Sequence, residues 1–178
     1  MMVVLTGAEL FTGNVMMTFS VIEKKTSLAK LLRNWSIVYF GNFVGSILIA
    51  LLIYYSGCSH NSHEALGVLS LTTAYQKVNL TFVEAFTRGI LCNWLVCLAI
   101  WMASSSKFVI GKIFAIFFPI MTFVASGYEH SIANMFFLTN GIFAKHTAAI
   151  VAASGLSADQ LATPVSYTHL TLPTNSRV

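Results

Sequence analysis

Residues 125–131, which read ASGYEHS, interrupt the last long apolar segment of the chain, and this interruption decides the predicted fold. The segment runs from about Phe108 to about Ala144. That is too long for one membrane-spanning helix at ordinary tilt. Small and polar residues favour turns and helix ends over helix interiors. We therefore predict two half-helices joined by a polar break at membrane depth.

A similar interruption lies near the start of the chain, within the apolar stretch Met1–Val21. In both breaks a glycine stands two residues before a glutamate, and an asparagine follows five residues after it: Glu9 with Asn14, and Glu129 with Asn134. The basic loops indicate that the two segments enter the membrane from opposite sides. Matching interruptions in two halves of a chain indicate an inverted repeat with a site at the membrane midplane.

The composition supports a membrane environment. The chain has 178 residues, of which 56% are hydrophobic and 9% are charged, whereas soluble domains carry about a quarter charged residues. The ranges Asn34–Gly57 and Gly89–Ser106 contain no Asp, Glu, Lys or Arg, and a spanning helix needs about 20 such residues. The net charge of +4 comes from basic residues at span ends, as the positive-inside rule expects. We therefore expect contact with the lipid bilayer and none with nucleic acid.

The predicted elements follow from these runs. We expect spans at about Asn34–Tyr55 and Phe82–Ser104, with an outer loop at Ser56–Leu80 that holds a short helix around residues 65–74. The first break should be a helix end, a loop and a half-helix from about Val15 to Ile22. Residues 1–150 are predicted to form a partial transmembrane domain of about four spans, two of them broken. Residues 151–178 are predicted to be a disordered or non-native tail.

The pair Glu129–His130 is the strongest candidate for a functional site. Ionisable side chains within an apolar run are costly unless they are buried in protein or face water. We expect Glu129 to support the fold and His130 to face a path through the membrane. The alternative is a structural pair that only holds the broken backbone.

The chemistry of histidine suits the passage of an anion. An anion that enters a low-dielectric constriction loses hydration worth several kcal/mol. An imidazolium at His130 offsets that cost, and it can also give its proton to a weakly basic anion, which then crosses as a neutral acid. Histidine is the side chain whose unperturbed charge changes closest to physiological pH.

Residues after the first break allow two interpretations. Glu9 is expected to brace the loop by accepting backbone N–H groups freed where the helix stops. Leu10 and Phe11 beside the Thr12 hydroxyl suit a narrow apolar gate next to a polar contact. Equally, the two apolar side chains could serve only packing.

Two further polar residues also allow two interpretations. Asn93, within an apolar helix, is either helix–helix glue or a ligand contact. Lys77, just outside a span, either attracts anions or is simply solvated. We find no nucleotide-binding glycine loop, nucleophile elbow or zinc motif, so no cofactor, metal or catalytic residue is predicted, and the chain is not expected to be an enzyme.

Several motifs together resemble the formate/nitrite transporter family. Residues 7–14 (GAELFTGN) resemble its broken second span, and residues 34–35 (NW) with 39–42 (YFGN) resemble its third. Residues 125–135 (ASGYEHSIANM) resemble its broken fifth span almost letter for letter. The resemblance covers roughly Met1–Lys145.

This resemblance implies an all-α, aquaporin-like bundle of six spans, assembled as a homopentamer with one pore per protomer in the bacterial inner membrane. The first span, the start of the second and the sixth have no counterpart here, so we expect a fragment of that protomer. Family members regulate flow by pH, which fits a titrating His130. The implied roles are apolar constrictions for Leu10, Phe11 and Phe123, polar pore contacts for Thr12, Asn93 and His130, an entrance field for Lys77, and support for Glu9, Glu129 and Asn134.

The resemblance leaves the transported anion open. Residues 92–99 and Tyr128 look most like the nitrite branch, while Lys77–Val78 and Thr81–Glu84 look equally like the formate branch. Hydrosulfide or another small monoanion is an alternative within the same family. A different class, a membrane-embedded redox subunit using His130 and His146 or a structural subunit, is the competing hypothesis.

Overall fold

The computed structural model describes residues 2–60, 64–157 and 160–161, and every regular element within them is a helix. The predicted all-α class is therefore confirmed. Two short 3₁₀ helices, Asn14–Met17 and Cys58–His60, accompany the α-helices. The α-helices are α1 Met2–Thr6, α2 Thr18–Ile22, α3 Leu28–Tyr55, α4 Ala65–Val78, α5 Phe82–Ser105, α6 Val109–Ala125, α7 Ser131–Lys145 and α8 Ala148–Ser154.

Within the described residues, α3 and α5 are long and apolar enough to span a membrane. They have 28 and 24 residues, with mean hydropathies of 2.1 and 1.5. A third candidate arises if α7 and α8, which are bent by 105° at their junction, are counted as one span. The helix α6 is also apolar but shorter, at 17 residues.

The two spans predicted from the sequence agree with α3 and α5, except that α3 begins at Leu28 instead of Asn34. The Ser27 hydroxyl accepts a hydrogen bond from the Lys30 backbone N–H at 3.4 Å. Serine before the first helical residue stabilises a helix start in this way. The basic residues that follow can be accommodated in the first turns because their long side chains reach toward water. The charged residues therefore lie inside the helix and not before it.

Both predicted interruptions are present. The α1 helix ends at Thr6 and helical structure resumes at Asn14, while α6 ends at Ala125 and α7 begins at Ser131. Each helix ends on a glycine in the left-handed region, Gly7 with φ +75° and Gly127 with φ +67°. Glycine adopts this conformation without steric cost.

The end of α6 is a complete Schellman motif. The Tyr128 N–H donates to the Phe123 carbonyl at 3.0 Å, and the Gly127 N–H donates to the Val124 carbonyl at 3.2 Å. This pair of bonds satisfies carbonyls that the last turn of a helix leaves without partners. The break after α6 is therefore encoded locally by Gly127.

The described residues form two compact units. The first comprises Met1–Asn42 and Phe86–Ile132, and the second comprises Phe43–Ala85 and Ala133–Val178. Both interruptions belong to the first unit. Its core contains buried Cys92, Val96 and Phe123, against which partly buried side chains pack: Leu95, Ile100, Ile120 and Tyr128.

The second unit is built on the packing of α4 against α8. Gly67 of α4 lies so close to Ile150 that a Cβ at this glycine would be 2.3 Å from the Ile150 side chain. The predicted short helix in the outer loop is thus present as α4, and it extends to Val78. Leu71, Ala144 and Ile150 form the buried cluster of this unit.

The predicted domain boundary at residue 150 falls inside α8. Val151, Leu156 and Leu161 also pack against the buried cluster of the second unit, so the described residues just after the boundary are packed. Residues 158–159 and 162–178 lie outside the described residues, and the predicted tail 164–178 lies wholly among them. The boundary and the nature of the tail stay predictions.

We expect Gly127→Ala to destabilise the protein by about 1–2 kcal/mol, because an L side chain in the left-handed region is strained. A Cβ at Gly127 meets no atom within 4 Å, so the strain is in the backbone alone. Gly41 of α3 is the matched control, because its Cβ also meets nothing within 4 Å and its backbone is helical. Thermal unfolding in detergent measures both variants. If Gly127→Ala proved as stable as Gly41→Ala, the left-handed helix end would not be required.

Candidate functional site

Thr12 from the first break and His130 from the second are hydrogen-bonded to each other. Their atoms Oγ1 and Nε2 lie 3.1 Å apart, although the residues are 118 positions apart in sequence. Both side chains are buried, with exposed fractions of 6% and 9%. The structure therefore brings together the two side chains that the sequence singled out as polar contacts.

The position of Thr12 is set by a tight turn. The Leu10 carbonyl accepts hydrogen bonds from the N–H groups of Gly13 and Asn14, at 2.9 and 3.0 Å. Gly13 lies against Ile100 of α5, and a Cβ at this glycine would be 2.7 Å from the Ile100 Cδ1 atom. Because the turn packs this closely against α5, the residue next to Thr12 must be small.

The position of His130 is set by the Schellman motif of α6 and by the start of α7. Its ring stacks on Phe123, with centroids 5.8 Å apart and an interplanar angle of 21°. Phe123 itself is only 9% exposed. One face of the imidazole is thus covered by an apolar ring, while Nε2 meets a hydroxyl. A threonine hydroxyl can donate to a neutral ring nitrogen or accept from a protonated one, so this pair tolerates either state of the histidine.

Glu129 is buried beside His130, with 9% of its surface exposed. Its backbone carbonyl oxygen faces Gly89 of α5, where a Cβ would lie 3.9 Å from it. The burial agrees with the predicted supporting role, which stays a prediction.

Phe11 is packed against the aromatic residues of α3. Its ring meets Tyr39 edge-on at a centroid distance of 5.2 Å and Trp35 at 6.0 Å. Leu10 and Phe11 are both half-buried. Packing, one of the two interpretations left open for Phe11, therefore has direct contacts, and the constriction role of both residues stays a prediction.

Asn93 of α5 carries a buried oxygen with no hydrogen-bond partner among the described residues. Its amide nitrogen donates to the Cys97 sulfur of the same helix at 3.7 Å. A buried acceptor without a partner costs about 1–3 kcal/mol. Within the described residues this amide makes no hydrogen bond to another helix, which favours the ligand-contact interpretation over helix–helix glue.

Lys77 and Asn134 belong to the second unit, which is described separately. The Lys77 ammonium lies over the Phe137 ring, 5.5 Å from its centroid, and lies in the last turn of α4, where the helix dipole favours a cation. Asn134 lies in the first turn of α7. Their predicted entrance and supporting roles stay predictions.

His146, which the competing redox hypothesis invoked, is exposed just after α7. In the part of the chain that the structure describes, no three or more His, Cys, Asp or Glu side chains form a group suited to a metal ion.

The donors expected for Glu9 were wrong. Its Oε2 atom accepts side-chain amide groups, from Asn14 at 2.9 Å and from Asn34 at 3.0 Å, instead of backbone N–H groups. The nearby backbone donors are already used, because the N–H groups of Gly13 and Asn14 bond to the turn and that of Phe11 bonds to a side chain.

Sequence reasoning missed the roles of three asparagines and of a buried pair in the second unit. Asn14, Asn34 and Asn42 surround the first break, and only Asn34 and Asn42 entered the analysis, as parts of family motifs. Asn140 is 8% exposed and donates to the Ser70 hydroxyl at 2.8 Å. A polar residue inside an apolar helix is the signal that could have found it.

The described pair of broken helices agrees with the comparison to known proteins. The sequence profile described as formate/nitrite transporter matches residues 1–170. This chain belongs to the formate/nitrite transporter family. The family predicted from the motifs is therefore confirmed, and the match extends past Lys145, where the recognised resemblance ended.

Relatives within the formate/nitrite transporter family support this. The chain is 43% identical over 145 residues to the formate channel FocA of Haemophilus influenzae, covering 82% of this chain and 51% of that one. It is 44% identical over 139 residues to FocA of Escherichia coli K12, covering 78% and 49%. A solved pentameric formate channel with formate bound is 37% identical, with a TM-score of 0.78 over 90% of this chain and 64% of that one. The chain spans about half the length of these curated relatives.

Gly13→Ala should destabilise the protein by about 1–3 kcal/mol, because the new methyl group would overlap the Ile100 Cδ1 atom. Ile100→Val removes that atom and should recover much of the loss when the two changes are combined. The four proteins of this double-mutant cycle are compared by thermal unfolding in detergent. Strictly additive effects would show that the two residues are not in contact.

Proposed function

We propose that the complete protein carrying this chain passes small monovalent anions, formate or nitrite, through a pore in which His130 controls passage. The proposal includes a homopentamer of multi-pass subunits in the bacterial inner membrane, surrounded by lipid. The observation that carries it is the buried hydrogen bond between Thr12 and His130, which joins the two interrupted segments. The names of the relatives, all formate channels among those compared above, support transport over catalysis.

The surroundings of His130 suit the handling of an anion. The ring lies on Phe123 and is largely shielded from water. In such a place a positive charge attracts an anion far more strongly than it would in water. Protonated His130 would offset the desolvation of an incoming formate or nitrite, and it would favour entry more as the pH falls.

Proton transfer offers a way past the apolar constriction. The imidazolium gives its proton to the anion, which leaves a neutral imidazole and a neutral acid. The neutral acid crosses the apolar region assigned to Leu10, Phe11 and Phe123 at a much lower desolvation cost than the anion. The Thr12 hydroxyl can stay bonded to His130 before and after this step, because it reverses from acceptor to donor.

Asn93 supplies matching polar contacts in the same unit. Its amide nitrogen can donate to an anion, and its buried oxygen, which lacks a partner among the described residues, can accept from the O–H group of a neutral acid. Both charge states of the substrate thus find a suitable atom. Hydrosulfide and its neutral acid satisfy the same requirement, so they are the alternative substrate of this site.

Replacing His130 with Phe should change anion flux and flatten its dependence on pH, because the group that changes charge is removed. The measurement is formate and nitrite flux into liposomes that contain the complete protein, from about pH 5 to pH 8. His146→Phe is the matched control, since His146 is exposed and lies after α7. A flux and a pH profile equal to those of the unaltered protein would remove His130 from the mechanism.

Replacing Thr12 with Val should lower flux about two- to tenfold, which corresponds to the loss of one hydrogen bond. Thr12→Ser keeps the hydroxyl and should retain most of the flux. Thr122→Val is a control on α6, where the hydroxyl bonds only to the preceding turn. Assembly is followed by size-exclusion chromatography. If Thr12→Val prevents assembly while Thr12→Ser does not, the hydroxyl has a structural role.

The identity of the anion needs a separate experiment, because formate and nitrite are both small, bent, singly charged oxyanions. Direct competition between the two in one flux measurement ranks them.

A further inference from the structure

A cluster of amide side chains surrounds Glu9, and we call Glu9, Asn14, Asn34 and Asn42 the amide clasp. One carboxylate oxygen, Glu9 Oε2, accepts from Asn14 Nδ2 at 2.9 Å and from Asn34 Nδ2 at 3.0 Å. The Asn14 amide also donates to Asn34 Oδ1 at 3.0 Å. Hydrogen bonds to an ionised carboxylate are stronger than those between neutral groups. The clasp therefore ties the first break to α3.

Asn42 holds the backbone of the same loop. Its Oδ1 atom accepts from the Phe11 N–H at 3.1 Å, and its Nδ2 atom donates to the Glu9 carbonyl at 3.3 Å. A side-chain amide has the donor and acceptor of a peptide group, so Asn42 pairs with residues 9 and 11 as a neighbouring strand would. This satisfies two backbone groups that an interrupted helix leaves without partners.

The face of α3 that carries these contacts is continuous. Trp35, Tyr39 and Asn42 follow the spacing i, i+4, i+7, which places them on one side of a helix. Trp35 and Tyr39 contact the Phe11 ring, and the Trp35 indole N–H donates to the Asn14 carbonyl at 3.1 Å. The loop is thus bound to α3 on both sides of Thr12.

We propose that the amide clasp, and Asn42 above all, positions the Thr12 hydroxyl against His130. Phe11, whose N–H is held by Asn42, directly precedes Thr12. The backbone from Gly7 to Gly13 forms no regular helix that would fix it otherwise. A displacement of about 1 Å would break a hydrogen bond such as that between Thr12 and His130.

The proposal distinguishes positioning from mere stabilisation of the fold. A clasp that acts through Thr12 must change the behaviour of His130, which the clasp does not itself contact in any bond described above. A clasp that only stabilises the loop would change assembly and leave the state of His130 unaltered. Its transport readout rests on the proposed function, whereas a spectroscopic readout of His130 does not.

The first test is a double-mutant cycle between Asn42→Leu and Thr12→Val in the complete protein in liposomes. Asn42→Leu should lower formate flux about two- to tenfold, as expected for Thr12→Val, and should change the pH profile in the same direction. The double variant should resemble Thr12→Val alone, because residues that act through one contact are not additive. Multiplied effects, or a pH profile unchanged by Asn42→Leu, would overturn the proposal.

Asn79→Leu is the matched control for this cycle. Asn79 is exposed at the end of α4, and its amide donates only to the preceding turn, to the Tyr75 carbonyl at 2.7 Å. The same chemical change there should leave the pH profile as it is. Asn34→Leu replaces Asn42→Leu if the latter does not assemble, because it removes one donor to Glu9 and leaves both Asn42 bonds in place; its effect should be smaller and in the same direction.

The second test measures His130 directly. In protein labelled with ¹⁵N-histidine, the Nε2 resonance of His130 is assigned by its loss in His130→Phe. Asn42→Leu, or Asn34→Leu in its place, should shift this resonance and its titration midpoint in the same direction as Thr12→Val. An unshifted resonance in an assembled variant would refute the positioning role. Because this readout needs no transport, it decides on the clasp even if the unaltered protein carries neither formate nor nitrite.

Discussion

Interrupted helices in an apolar environment leave backbone N–H and C=O groups that only the protein can satisfy, and the rest of this structure depends on that requirement. The break after α6 meets it locally, through the Schellman motif at Gly127. The break after α1 meets it through tertiary contacts, with Asn42 supplying both a donor and an acceptor. The first break is therefore fixed only when α3 is in place, whereas the second is encoded in its own sequence.

The same requirement explains why polar side chains are tolerated where they are. Thr12 and His130 are buried, and a buried polar group without a partner is costly. Their mutual hydrogen bond removes that cost, and the Phe123 ring covers the imidazole face. Two segments that are expensive separately thus become compatible when they meet, and their meeting places a group that can change its charge in a shielded position.

Local patterns sufficed to predict the helices and the breaks. Glycine, serine and asparagine inside long apolar runs disclosed the breaks at residues 7–14 and 125–131, and the length of uncharged runs disclosed α3 and α5. The long-range contacts could not be derived this way. The bond between Thr12 and His130 joins residues 118 positions apart, and the donors to Glu9 depend on which face of α3 meets the loop.

Hydrogen-bond satisfaction separates asparagines that the sequence leaves indistinguishable. In the first unit the clasp amides Asn34 and Asn42 use donor and acceptor within the protein. Asn93 donates only weakly, to a sulfur, and its buried oxygen has no partner among the described residues. A saturated amide adds rigidity and offers nothing to a passing ligand, while an unsatisfied buried acceptor holds free energy that a transient donor can recover. The residue type is the same, so the distinction between holding the fold and contacting a substrate lies in the partners and not in the sequence.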